Sequence, residues 1–239
     1  MKTAMRAVML ILMMGVVGVT EGFAFDFEAV CPNGQTLYYQ ITDNENHYVT
    51  VVSSTFGYYN LNGEMTIPDV VTNDGISYKV TGIGEYAFYE CTSLTSLTIG
   101  NSVTSMGSCA FAKCTGLKSV EIPNSVTSIG ECAFYRCTGL KSLTIGNLVE
   151  SIGYAAFAGC AGLTSLTIPN SVERIGDGAF NACTGLTEIT SFAKSAPQIK
   201  NTTFCFPRQC GVLPKNMVTL ISVCFISYNY YTHIYIFCQ

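Results

Sequence analysis

Between Val80 and Ile189 one short pattern recurs in five copies at a constant spacing of 23 residues, and this leaves the chain few ways to fold. The first copy reads Ile83-Gly84-x-x-Ala87-Phe88-x-x-Cys91-x-x-Leu94-x-x-Leu97-x-Ile99. Its Ala-Phe pair returns as Ala110-Phe111, Ala133-Phe134, Ala156-Phe157 and Ala179-Phe180. The cysteine returns as Cys114, Cys137, Cys160 and Cys183, and the first leucine as Leu117, Leu140, Leu163 and Leu186. A fixed period of this length marks a solenoid, in which each unit is one coil and like residues form columns. One such coil buries too little apolar surface to offset the entropy of ordering its backbone, so coils are stable only as a stack.

Within each unit Leu97 and Ile99 alternate with Ser96 and Thr98, the two-residue period of a strand with one face in and one face out. Ser119-Val120-Glu121-Ile122, Ser142-Leu143-Thr144-Ile145, Ser165-Leu166-Thr167-Ile168 and Glu188-Ile189-Thr190 repeat it. Gly100-Asn101, Pro123-Asn124, Gly146-Asn147 and Pro169-Asn170 then end the pairing in turns, and stacked Asn side chains there are placed to cap the next coil. An Ile-Gly pair follows, as Ile129-Gly130, with the glycine expected to relieve a tight bend. The segment Gly130 to Cys137 places Ala133, Phe134 and Cys137 on one side of a short helical turn, with the phenylalanines stacked as a spine.

The Leu-x-x-Leu-x-Leu core is that of a leucine-rich repeat. The run Ile122-Pro123-Asn124-Ser125-Val126-Thr127-Ser128-Ile129-Gly130-Glu131-Cys132-Ala133-Phe134 resembles the BspA-like leucine-rich repeat family over about residues 65 to 190. The expected fold is a repeat solenoid with short parallel β-strands on the concave face and short helical turns or loops on the convex face. The resemblance also implies an exported protein that binds proteins or host surfaces.

The address is read from the start of the chain. Lys2 and Arg6 precede an uncharged stretch from Ala7 to Val19, followed by Gly22-Phe23-Ala24. A basic start, a short apolar run and small residues at a cleavage site define a signal peptide over residues 1–24, cut after Ala24, with an uncleaved anchor as the alternative. The expected location is secreted or at the cell surface. A net charge of −4 with 12% charged residues gives no basic stripe for nucleic acid.

Twelve cysteines in an exported chain invite a search for disulfides. Five of them share one repeat position, which reads as a buried ladder of small apolar side chains. Cys109 and Cys132 share a second register, held elsewhere by Tyr86, Ala155 and Gly178, and are the repeat pair best placed for a bridge. Ligands spaced 23 apart along a column do not close a tetrahedron, so no metal site is expected.

Residues 25–66 carry no repeat. Leu37 to Ile41 and Tyr48 to Val52, separated by Thr42-Asp43-Asn44-Glu45-Asn46, read as a hairpin that caps the first coil, with His47 a surface residue. The solenoid proper spans 67–190 in five units, the first enlarged by a small hairpin around Asn73-Asp74-Gly75. Residues 191–239 form a cap or an atypical tail, in which 217–237 lack Asp, Glu, Lys and Arg. A membrane segment, a native aromatic cap and an out-of-family end remain open there, and membrane contact depends on that stretch.

No catalytic set can be built on the repeats. The histidines, His47 and His233, lie outside them, and there is no phosphate loop, His-Glu-x-x-His or Cys-x-x-Cys. Glu121 and Glu188 stand three strands apart, about 14 Å, beyond the spacing glycoside cleavage uses. No enzyme and no cofactor is expected. What remains is the outward row Ser96, Thr98, Ser119, Glu121, Ser142, Thr144, Ser165, Thr167, Glu188 and Thr190, a polar and nearly uncharged concave face without aromatic anchors. Its expected partner is a surface or matrix protein of a host or neighbouring cell. A glycan-binding or structural envelope role is the alternative.

Overall fold

The computed structural model describes residues 25–53, 61–192 and 237–238. The expected signal segment and almost all of the tail therefore lie outside the described residues. An N-terminal group comprises β1 (Phe27–Val30), β2 (Thr36–Asp43), β3 (Tyr48–Val52), β4 (Gly63–Ile67), β5 (Val70–Asn73) and β6 (Ile76–Ile83). Long and short strands then alternate: β7 (Leu94–Ile99), β8 (Ser105–Met106), β9 (Ser119–Glu121), β10 (Ser128–Ile129), β11 (Ser142–Thr144), β12 (Ser151–Ile152), β13 (Ser165–Ile168), β14 (Arg174–Ile175) and β15 (Glu188–Ser191), with β16 (Phe237–Cys238) beside β15.

Each coil has three sides, and each side is hydrogen-bonded to the neighbouring coil except between β11 and β13 on the long-strand side. The long strands pair in parallel as β4-β7-β9-β11 and as β13-β15. The two-residue strands form a second parallel ladder, β6-β8-β10-β12-β14. The third side is a wall of turns, where Cys132, Phe134 and Arg136 donate their N–H groups to Tyr154, Ala156 and Ala158 of the next coil at 2.7–2.8 Å.

This wall replaces the helical turn expected over residues 130–137, and among the described residues no helix forms at all. A helix would turn every N–H back into its own coil. Here only alternate ones do so: Tyr135 N–H bonds to Cys132 O and Cys137 N–H to Phe134 O, while those between them cross to the neighbour. The reversal needs left-handed backbone at two positions per coil. Tyr86, Cys109, Cys132 and Ala155 hold the first, and Glu90, Lys113, Arg136 and Ala182 hold the second, with φ from 49° to 61°.

Inside, the columns are closed. Phe88, Phe111, Phe134, Phe157 and Phe180 are fully buried, with successive ring centroids 4.9–5.3 Å apart and planes within 9° of parallel. The coil spacing sets that distance, so the rings stack offset. Ala87, Leu94, Leu97 and their equivalents fill the remaining volume of the same continuous core.

The glycine after each isoleucine does not relieve a bend. Gly130 has no left-handed φ; instead, a Cβ there would lie 2.5 Å from the backbone carbonyl of Gly107 and 2.6 Å from Met106 O. It is the point where successive coils touch backbone to backbone.

At the N-terminal end β2 and β3 form the expected antiparallel hairpin, joined by β1, whose Phe27 stacks on Tyr39. The hairpin continues the short-strand sheet, since β3 runs parallel to β6 with Val49 opposite Val80. It also protects the exposed edge of β4. Asn33 Nδ2 and Gln35 Nε2 donate to Glu64 O at 2.6 and 3.0 Å, and Gln35 reaches Asn62 O as well. The insertion around Asn73 is a two-residue hairpin of β5 and β6 with Asp74 and Gly75 both at positive φ, and β6 carries on into the second sheet.

Two substitutions test this account. Gly130→Ala forces backbone apart and should cost about 3 kcal/mol in chemical denaturation, the upper end of overpacking effects. Ala182→Gly places glycine at a left-handed position that Gly159 already occupies one coil earlier, and should raise stability by about 0.5–1 kcal/mol.

Candidate binding face

The long-strand face is built by the two-residue alternation of its strands, which turns Leu97, Val120, Leu143, Leu166 and Ile189 inward and their neighbours outward. Ser96, Ser119 and Ser142 sit opposite one another in register, as do Thr98, Glu121 and Thr144. Beyond β11, Ser165 faces Glu188 and Thr167 faces Thr190. Eight of these ten residues are exposed, while Ser96 and Thr190 are partly covered. Glu121 therefore belongs to the threonine column and Glu188 to the serine column.

The face extends one strand further than the sequence suggests. Glu64 and Thr66 of β4 pair with Ser96 and Thr98, adding a third carboxylate at the N-terminal edge. The β5–β6 insertion hides this strand in the sequence by stretching the first coil. The polar–apolar alternation of Glu64-Met65-Thr66-Ile67 is nevertheless the same signal.

At one place the ladder is interrupted. β11 and β13 lie side by side but share no registered pairing, and an open groove of about 630 Å³ lies beside them. Thr144, Thr167, Asn147, Asn170, Pro169 and the half-exposed Phe192 are among its lining residues. Two face residues and an aromatic side chain thus meet in one concavity.

Asn side chains act as expected at one corner: Asn124 Oδ1 accepts the Asn147 N–H at 2.7 Å. Asp69 does the same for Ser102 in the first coil.

Aromatic side chains are gathered on the turn wall. Tyr86 and Tyr89 pack edge to face at 5.5 Å, and the Lys113 ammonium lies 4.9 Å from the Tyr89 ring centre while pairing with Glu90 at 2.6 Å. The hydrogen bond to Glu90 holds the Lys113 ammonium above the ordinary lysine range. Arg136 lies against Tyr135, and Tyr154 is exposed. These residues occupy turn positions that differ from coil to coil, so no column pattern points to them.

The cysteine column has a role beyond filling space. From Cys114 on, each thiol donates to the carbonyl of the phenylalanine in the preceding coil: Cys114 to Phe88 and Cys137 to Phe111 at 3.1 Å, Cys160 to Phe134 at 3.3 Å, and Cys183 to Phe157 at 3.2 Å. Burial pushes the thiols of Cys137 and Cys183 up to about 12 and raises Cys160 well above the usual range. The proton that makes the hydrogen bond is thereby retained. Among the described residues no three metal-binding side chains come together.

Stacked 23-residue coils that each add one long strand to a parallel ladder are the architecture of leucine-rich repeat proteins. The chain belongs to the BspA-type leucine-rich repeat family, whose repeat region matches residues 81–210 and 150–237 in six copies. A leucine-rich repeat protein of T. pallidum is 28% identical with a TM-score of 0.57, over 64% of this chain and 68% of that one. One from Bacteroides ovatus is 34% identical with a TM-score of 0.60, over 69% of this chain, which spans only 42% of that protein's length. The pneumococcal vaccine antigen PcpA, 18% identical with a TM-score of 0.50, shares the fold alone. No curated protein matches the chain.

The thiol column generates a test. Iodoacetamide at pH 8 should leave Cys137, Cys160 and Cys183 unmodified until the chain unfolds, because the thiolate of Cys137 is about one part in 10⁴ at that pH. Below the ordinary thiol value of 9.0 these groups are protonated in both states; above it the unfolded chain loses protons that the fold keeps. Stability should therefore fall as pH rises from about 9 towards 12, and Cys137→Ala should make that fall shallower in denaturation curves.

Proposed function

We propose that the chain is an exported or cell-surface binding protein, without catalysis, whose long-strand face carries the contact. The observation that supports this reading most is the register of the outward residues, which sets serine, threonine and glutamate side chains in columns across β4 to β15. Small hydroxyl groups on a fixed sheet lose little entropy on binding and offer both donors and acceptors. Glu64, Glu121 and Glu188 stand among these columns while the exposed Lys118 and Lys141 occupy the register beside them, so the face offers charges of both signs among its hydroxyl groups and favours a polar partner. Phe192 in the groove supplies the one aromatic contact close to that face among the described residues. Each coil adds a modest increment, and affinity accumulates over coils and over copies on a surface.

A protein of a host or neighbouring cell surface or matrix fits this chemistry. The full chain presented to immobilised matrix proteins and to a glycan array should bind the proteins, and Thr98→Arg with Thr144→Arg should weaken that binding at least tenfold without changing circular dichroism. Binding confined to glycans, or unaffected by the double substitution, overturns the reading.

A further inference from the structure

Cys109 and Cys132 stand apart from the cysteine column. They occupy the first left-handed position of the turn wall in consecutive coils, each with φ of 53°, and both are only half-buried. Their register is fixed on both sides, because Cys109 N–H donates to Glu131 O at 2.8 Å and Phe111 N–H to Ala133 O at 2.7 Å. Residues matched in this way lie one ladder spacing apart, about 4.8 Å between Cα atoms, which falls inside the ~4.4–6.8 Å range that disulfides span. Identical backbone conformation sends both side chains out in the same direction. The Cβ atoms need to converge by only about 1 Å to reach bridging distance, an adjustment two surface turn residues can make.

The column thiols share the spacing but not the chemistry. From Cys114 on they are sealed in the core with their protons on phenylalanine carbonyls, out of reach of any oxidant. At the wall, by contrast, the two thiols are only half-buried, and burial first and then the neighbouring Cys109 thiol raise Cys132 above its ordinary value.

We propose that Cys109 and Cys132 are a modification site, a thiol pair that closes to an inter-coil disulfide on reaction with a disulfide donor such as oxidised glutathione or a dithiol oxidase. In the first step the Cys109 thiolate attacks one donor sulfur, forming a mixed disulfide and releasing the first donor thiolate. The Cys132 thiolate then attacks the Cys109 sulfur and expels the second. Two protons pass from the protein thiols to the two donor thiolates, and the donor takes the two electrons. The product ties the second coil's wall to the third and closes a loop of one repeat.

The test uses the full chain, folded, in a glutathione redox buffer, quenched with acid and digested with trypsin without reduction. Cys132 is the one cysteine of the tryptic peptide 119–136, and Cys109 shares the peptide 80–113 with Cys91. The expected result is these two peptides linked and two hydrogens lighter than their sum, with fragmentation placing the link at Cys109. Dithiothreitol should reverse it, Cys132→Ser should abolish it, and the bridged chain should melt about 5 °C or more above the reduced one. The proposal is overturned if both residues are recovered as free thiols or separate glutathione adducts while circular dichroism shows the fold intact, or if Cys132 is found linked to any other cysteine.

Discussion

The coil-to-coil backbone ladder is the interaction on which everything else rests. On the long strands, the short strands and the turn wall, N–H groups of one regular coil meet carbonyls 22 to 24 residues away in the next. A backbone group not used within its own turn is thus satisfied by a neighbour, and the core needs few polar side chains. The cost is a fixed distance of approach. Wherever two coils touch through backbone, as at Gly130 above Gly107, nothing larger than hydrogen fits. Wherever they touch through side chains, a column of identical shapes is the simplest way to fill a gap of constant width.

The phenylalanine and cysteine columns show how that rule selects residues. A ring repeated at about 5 Å packs offset against its copies without changing rotamer. Beside it, the carbonyl of each phenylalanine already accepts one bond in its own turn: Cys114 N–H donates to Phe111 O, and Cys137 Sγ supplies the second from the next coil. Alanine would leave that lone pair without a donor. Serine would bring a hydroxyl that is costlier to bury. Cysteine is apolar enough for the core and still carries a proton to donate.

How far the sequence reaches follows from the same geometry. The period, the inward leucines and the outward Ser/Thr row are legible because they depend on alternation within one strand and repetition between coils. The second sheet is not, since Ser128-Ile129 is too short a segment to display a two-residue period. The turn wall reads as helical because Ala133, Phe134 and Cys137 have helical spacing, while its left-handed positions carry Cys132 and Arg136 rather than the glycine or asparagine that would announce them. Glu64 and Thr66 are obscured by the β5–β6 insertion. The groove near Thr144 and Thr167 depends on where a ladder opens, a property of backbone alone.

These constraints divide the molecule by direction. Inward positions are dictated by stacking and have no freedom to carry recognition. Outward positions differ between the two kinds of surface: the strand face repeats nearly the same hydroxyl pair in each coil, whereas the wall changes from Tyr86 to Cys109 to Cys132 to Ala155 at one site. A uniform face suits contacts that add in small equal steps and tolerate sliding by a coil. A varied wall has no such equivalence between coils, and chemistry that depends on two particular neighbours, as a thiol pair does, can arise only there. The proposed binding face and the proposed thiol pair thus lie on different sides of the same ladder, so either can change without disturbing the columns between them.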